Sequence, residues 1–263
     1  MRRHLGLLGA YFAQYVKVRI SYRADFLIGL AASIAATLCA FGFLLVLFSR
    51  IPRLAGWRFE EALFLYGFAL IPFGLFNVFS MNIYEFGNNY IIEGKFDRVL
   101  LRPVASLFQV LFETFRIESF HEVITGLLAV WWASRRLGLV WTPGALALLV
   151  VFSLCGWVIY ISIFLLLSCV SFWYEDRLGV HPPIYNLIAF GRYPLTIYSQ
   201  LVQFLLSWII PFAFASFYPS VRLLGRGEMH NVALFAPVMA AACFAVMLFT
   251  WNRGLRQYSS TGS

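Results

Sequence analysis

Apolar residues in this chain come in long unbroken runs rather than in alternating or two-faced stripes. From Phe26 to Phe48 there is no charged side chain, and Arg50-Ile51-Pro52-Arg53 ends the run. A second run covers residues 62–84 and contains Pro72, Gly74 and Asn77, which predict a kink and a polar face turned toward protein. Residues 145–173 and 232–251 are equally free of charge, and residues 199–217 form a run broken by Pro211. Residues 117–133 complete the set but carry Glu118, His121 and Glu122 in their first half. A charge facing lipid at mid-membrane costs at least ~2.5 kcal/mol, so that half must face protein or water. A hydrocarbon layer ~30 Å thick takes about 20 helical residues per crossing. The pattern predicts an all-α, polytopic membrane protein with about six transmembrane helices.

The segments between the runs read differently. Leu5, Leu8, Phe12, Val16 and Ile20 recur at helical spacing opposite Arg3, Gln14, Lys17 and Ser21. Residues 1–25 are therefore expected to lie in the membrane plane as an amphipathic helix, and they hold no clean apolar leader core. Residues 85–112, with Glu85, Glu93, Lys95, Asp97, Arg98 and Arg102, are expected to face solvent between the second and third spans. Residues 174–198 read as a polar and aromatic connection. The stretch from Pro219 to Glu228 is expected as a short re-entrant turn in the outer leaflet. No internal repeat or linker divides residues 1–263, so one membrane domain is expected.

Composition agrees. Hydrophobic residues make up 61% of the chain and charged residues 12%, too apolar a balance for a soluble domain. The net charge of +8 comes from arginines set between apolar runs, which points to lipid headgroups rather than nucleic acid. Of the 20 lysines and arginines, 13 fall on the side of the N-terminus and 7 on the other. That asymmetry predicts both termini in the cytoplasm. Trp57, Trp131, Trp132, Trp141, Trp173 and Trp251 fall near run ends, where headgroup contact is expected.

The chemistry-bearing motifs are mostly missing. No GxxxxGK[ST] phosphate cradle exists, since Gly94-Lys95 is followed by Phe96. His121-Glu122 has Thr125 where a zinc-binding HExxH helix needs its second histidine. Cys39, Cys155, Cys169 and Cys243 lie singly in apolar runs, with no CxxC pair. No serine sits in a nucleophile elbow. No catalytic residue, bound metal or cofactor is expected in this chain. Glu113, Glu118, His121 and Glu122 form a polar cluster of unknown role near one end of the third span. It reads as a polar patch or, alternatively, as a proton or substrate relay along one helix face. The other five runs contain no charge, which argues against ion coupling.

Several motifs carry a family resemblance. These are Tyr22-Arg23-Ala24-Asp25-Phe26-Leu27 before the first run and Trp57 with Glu60-Glu61-Ala62-Leu63-Phe64-Leu65-Tyr66-Gly67 before the second. Glu93-Gly94-Lys95-Phe96-Asp97 leads through Leu101-Arg102-Pro103-Val104 in a G-x-x-D-x-x-L-x-R-P pattern. Arg192-Tyr193-Pro194, Ile210-Pro211-Phe212-Ala213-Phe214, Pro219 with Leu223-Leu224-Gly225, and the tail Gly254–Ser263 follow in order. On these motifs the chain resembles the permease subunits of bacterial ABC-2-type exporters, the six-span subfamily encoded beside a second permease and an ATPase.

The resemblance implies an inner-membrane subunit that moves an apolar or amphipathic substrate out of the cytoplasm. ATP and Mg would be bound by two copies of a partner ATPase, and the second permease would be a related chain more readily than a copy of this one. It assigns ATPase coupling to Glu93, Lys95, Asp97, Arg98 and Arg102, and an outer gate to Pro219, Arg222 and Arg226. Two other readings stay open. An ion-coupled secondary transporter would need inverted halves with broken helices. A membrane scaffold would have no transport path.

Overall fold

The computed structural model describes residues 9, 11, 15, 17, 23–174 and 181–259. Among these residues the chain is helical, with a single isolated bridge between Leu54 and Trp57 and no strand. Gly9, Tyr11, Tyr15 and Lys17 are helical, residues 23–25 of the expected in-plane helix belong instead to the long helix that follows, and the rest of it lies outside the described residues.

Helix α1, Arg23–Arg50, is 28 residues long and buries only Leu44 against the rest of the chain. Helix α2, Phe59–Ser80, is apolar on all sides and almost wholly buried, as expected of a central bundle helix. Its first turn is closed by the Glu61 carboxylate, which accepts from the Arg58 N–H at 2.8 Å. The chain does not turn to solvent at residue 85. It continues through a 3-10 turn, Met81–Glu85, and a π-helical turn, Phe86–Ile92, that buries Phe86, Gly87, Tyr90 and Ile91. The solvent-facing segment is thus shorter than the sequence pattern indicates, because its first residues are an extension of the second span. Two short helices follow, α3 at Phe96–Leu101 and α4 at Ser106–Phe112.

Helix α5, Phe120–Leu137, replaces the expected span at 117–133. Gly138 ends it in a left-handed conformation (φ 69°), and Leu139 N–H returns to Ser134 O at 2.9 Å. Arg135 and Arg136 sit in its last turn, where the helix dipole favours them, over Trp131 and Trp132. Helices α2 and α5 cross very closely. A Cβ added at Gly126 would lie 2.5 Å from Gly67 O, and one added at Gly67 would lie 2.7 Å from Ala129 Cβ. Only glycine permits this approach.

Helix α6, Pro143–Ser168, begins at a Thr142 cap whose hydroxyl oxygen accepts from Ala145 N–H at 3.2 Å, and Pro143 takes the first-turn position that needs no donor. Helix α7, His181–Leu187, opens the stretch expected as a polar connection. That stretch folds inward instead, burying Ile188, Gly191 and Leu195. The fifth span is a bent pair: Gln200–Ile209 and Phe212–Leu223 meet at 72°, where Pro211 cannot continue the helix. Its second limb carries the helix past residue 217 and buries Pro219, Ser220 and Val221. Pro219 is therefore packed inside a helix limb rather than in a free re-entrant turn. We label the regular helical parts of this pair α8, Gln200–Phe204, α9, Phe212–Ala215, and α10, Phe217–Leu223. Helix α11, Ala236–Gln257, closes the chain.

Among the described residues four helical segments are long and apolar enough to cross a membrane: Arg23–Arg50, Phe59–Ile92, Pro143–Phe172 and Met229–Gln257. The bent pair makes five when it counts as one span. Helix α5 is 18 residues long but carries Glu122, Arg135 and Arg136, so its uncharged stretch is only Val123 to Ser134. The chain is an all-α polytopic membrane protein. Trp57 and Trp251 do not sit at the lipid surface; both are buried in the core, whereas Trp131, Trp132 and Trp173 are exposed.

Candidate functional site

At one end of the bundle, α3 is fixed by three independent contacts. Phe96, fully buried, is surrounded by Phe86 at the end of the second span (5.7 Å between centroids), Phe172 after α6 (5.6 Å), Trp251 of α11 (6.0 Å) and Tyr258 (5.0 Å). Its partners come from three different spans. Gln109 of α4, also fully buried, donates to Val99 O at 3.0 Å and Val104 O at 2.9 Å, tying the end of α3 to α4. Tyr258 donates its hydroxyl to Asp97 Oδ1 at 2.9 Å. Burial, then the hydrogen bond to Asp97 and the carboxylate charge, push the Tyr258 phenol up to about 12.

The five residues singled out in this segment are gathered around α3. Lys95 Nζ is 2.6 Å from Glu93 Oε2, an exposed pair of the kind that contributes little to stability. Arg98 faces outward. Arg102 lies 3.8 Å from Glu113 and donates to the Tyr11 hydroxyl at 3.4 Å.

Glu113, Glu118, His121 and Glu122 do not share one helix face. The helix breaks between them: Glu113 caps α4, Glu118 lies in a 3-10 turn, and only His121 and Glu122 belong to α5. Each has its own partner. Glu113 accepts from the Tyr90 hydroxyl at 2.6 Å, and Glu118 accepts from the Tyr15 hydroxyl at 3.0 Å. His121 Nε2 meets Thr37 of α1 at 3.2 Å, and Glu122 accepts from Asn77 Nδ2 of α2 at 2.7 Å. The break follows from Thr114-Phe115-Arg116, where Phe115 is buried and Arg116 N–H leaves the helix to donate to Val78 O at 3.0 Å.

Sequence reasoning missed Arg192. It stands in the stretch expected as a connection, yet its guanidinium lies 4.6 Å from the centroid of Phe73 and donates to Tyr66 at 3.5 Å, both on α2. Tyr185 donates to Asn77 Oδ1 at 3.3 Å on the same helix. Tyr66, Phe73 and Asn77 repeat at spacings of seven and four, a signal present in the sequence but hidden because α2 is apolar all round.

At the far end of α2, Arg226 holds the loop before the helix. It pairs with Glu61, donates to Gly56 O at 2.8 Å and lies 4.5 Å over the Trp57 ring. Arg222 donates more loosely to Asn231 Oδ1 at 3.4 Å. Pro219, Arg222 and Arg226 are therefore neighbours in chain but differ in role: one packs, one clamps and one faces a loop. Among the described residues no three His, Cys, Asp or Glu side chains converge as a metal site.

The site is thus a short helix wedged by one phenylalanine into the ends of several long apolar helices, in a helical, membrane-embedded domain. The sequence pattern of the ABC-2 family transporter protein matches residues 34–262, and the chain belongs to the ABC-2 transporter family. Its class is accordingly a permease-type membrane domain of an ABC transporter, not a catalytic one. No curated protein and no solved structure matches the chain.

Proposed function

We propose that this chain is the membrane-spanning subunit of an ATP-driven exporter in a bacterial inner membrane, with both termini in the cytoplasm. ATP and Mg bind a separate ATPase, present in two copies, and a second permease, related but different, completes the path. The substrate is apolar or amphipathic. α5 then serves as the third of six spans, its charges kept at its two ends.

The observation that carries the reading is the seating of Phe96 among the ends of the second span, α6 and α11. A partner that grips Glu93, Lys95, Asp97, Arg98 and Arg102 moves α3, and Phe96 transmits that motion to three spans at once. Closure of two ATPases on nucleotide favours one arrangement of the spans only if docking is tighter in that arrangement. The clamp of Arg226 on Glu61 and Gly56, at the opposite end of α2, is the gate contact that must loosen when the path opens outward.

The test uses the chain's two lysines, Lys17 and Lys95. The tagged chain is purified from its own membranes after amine-directed cross-linking and digested for mass spectrometry. A Lys95 link to a P-loop ATPase supports the reading. An intact membrane complex with no ATPase, or an ATPase linked only at the far end of the bundle, refutes it.

A further inference from the structure

Beside α3 lies a cavity of about 260 Å³, walled by the end of the second span, the coupling segment and the residues after α4. Lys95, Arg98 and Arg102 line it, with Asn82, Asn89 and Thr114 as neutral polar neighbours. Each carboxylate around it has a partner. Asp97 accepts from Tyr258, and Glu93 holds Lys95 from outside the wall. Glu113, the one carboxylate in the wall, accepts from Tyr90, whose hydroxyl also accepts from Asn82. Arg98 makes no hydrogen bond or ion pair with a described residue. Glu93 pairs with Lys95 at 2.6 Å and Glu113 lies 3.8 Å from Arg102, so Arg98 is the uncompensated cation of the wall, a guanidinium suited to phosphate oxygens.

Its position narrows the source of that phosphate. The cavity sits at the end of the Phe59–Ile92 span, where the apolar run gives way to charged residues. On the same short helix Leu101 is 84% exposed and Leu100 47% exposed, while Phe96 and Val99 point into the core. Two bare leucines beside a cationic cavity fit acyl chains beside a headgroup. We infer that this cavity holds the phosphate of an anionic phospholipid, with its chains running along Leu100 and Leu101. The inference needs only the membrane-spanning fold and concerns the chain with no ATPase docked, since the exporter reading gives Lys95, Arg98 and Arg102 to that partner.

The test is native mass spectrometry of the full chain released from nanodiscs of phosphatidylglycerol or of phosphatidylcholine. Wild type is compared with Arg98→Gln and with Arg98→Gln/Lys95→Gln, and circular dichroism checks that the variants keep their helices. Arg98 is exposed and bonds to no described residue, so its single replacement leaves packing intact. The wild type should retain phosphatidylglycerol and not phosphatidylcholine, with retention falling about fivefold per cation removed. Equal retention of the two lipids, or unchanged retention by the double variant, would overturn the assignment. So would displacement by inorganic phosphate, which makes the site one for a soluble anion.

Discussion

Tyr258 and Asp97 are joined by a 2.9 Å hydrogen bond across 161 positions of sequence, so the end of the last helix and α3 are tied together. The Tyr258 ring lies against Phe96 while its hydroxyl meets Asp97, so one side chain grips two adjacent positions of α3. Tyr258→Phe keeps the ring and removes the bond. It is expected to cost about 0.5–1.5 kcal/mol of stability, as for a single hydrogen bond. Thermal unfolding in mild detergent measures this, and Tyr258→Ala should cost more because the Phe96 contact also goes. Equal melting of the two variants would mean that the ring contributes nothing.

The same pair has a signature in alkali. The Tyr258 phenol normally ionises near 10.0 and is pushed up to about 12. The proton-bound form is thus favoured by the fold. Its stabilising contribution is intact below pH 10, and it is lost as the pH climbs through about 12. Difference absorbance between wild type and Tyr258→Phe isolates this one tyrosine. Asp97→Asn should bring its midpoint back toward 10, since burial alone then remains to hold it up. A midpoint that does not move would remove Asp97 from the account.

At the other end of α2, Arg226→Ala leaves the partly buried Glu61 carboxylate without its cation and Gly56 O without its donor. A loss of about 1–3 kcal/mol is expected. Arg226→Lys restores the charge but not the two-pronged geometry, and should recover only part of the loss. A double-mutant cycle with Glu61→Gln checks the coupling directly; additive losses would show that the two side chains act independently.

Gly126→Leu drives a side chain into Gly67 O and should force α2 and α5 apart, costing about 1–3 kcal/mol or more. Leu128→Ala, two residues on and exposed, is the control. The yield of monodisperse protein should drop for the first and hold for the second. Equal yields would indicate that the helices cross less closely than the glycines imply.

Glu122→Gln keeps an acceptor for Asn77 and should change stability little, whereas Glu122→Leu strands the Asn77 amide and should cost about 1–3 kcal/mol. If both variants behave alike in a denaturation series, the Asn77 contact is not what Glu122 provides.

The long spans could be read from sequence because each exceeds the length a bilayer demands, and Pro211 marked the bend because it lacks the donor a helix needs. Other features could not. Arg192 is half-buried against α2, and the spacing of Tyr66, Phe73 and Asn77 that marks the side it meets is hidden because α2 is apolar on every side. Gln109 looks like an ordinary surface glutamine, yet it is fully buried because two carbonyls at the α3–α4 junction need a donor. Trp57 and Trp251 stood at run ends like interfacial anchors. They went to the core because Phe217 with Arg226, and the Phe86–Phe96–Phe172 group, offered them closer surfaces than lipid does. The four acidic and histidine positions from 113 to 122 were visible as a group, but their separation was not, since it arises from one backbone N–H captured by Val78.

Helix α1 keeps much of its surface clear of the rest of the chain, with Leu44 its one buried residue and Phe41 and Phe48 half-buried against α2. It is a mast stepped at a few points, His121 on Thr37 among them, and its sideways footing comes from whatever stands beside it. Exchanging lipid for another helix along its length disturbs no interior packing. The thickness and composition of the surrounding bilayer therefore act on α1 directly, and reach the other helices only through those few points of attachment.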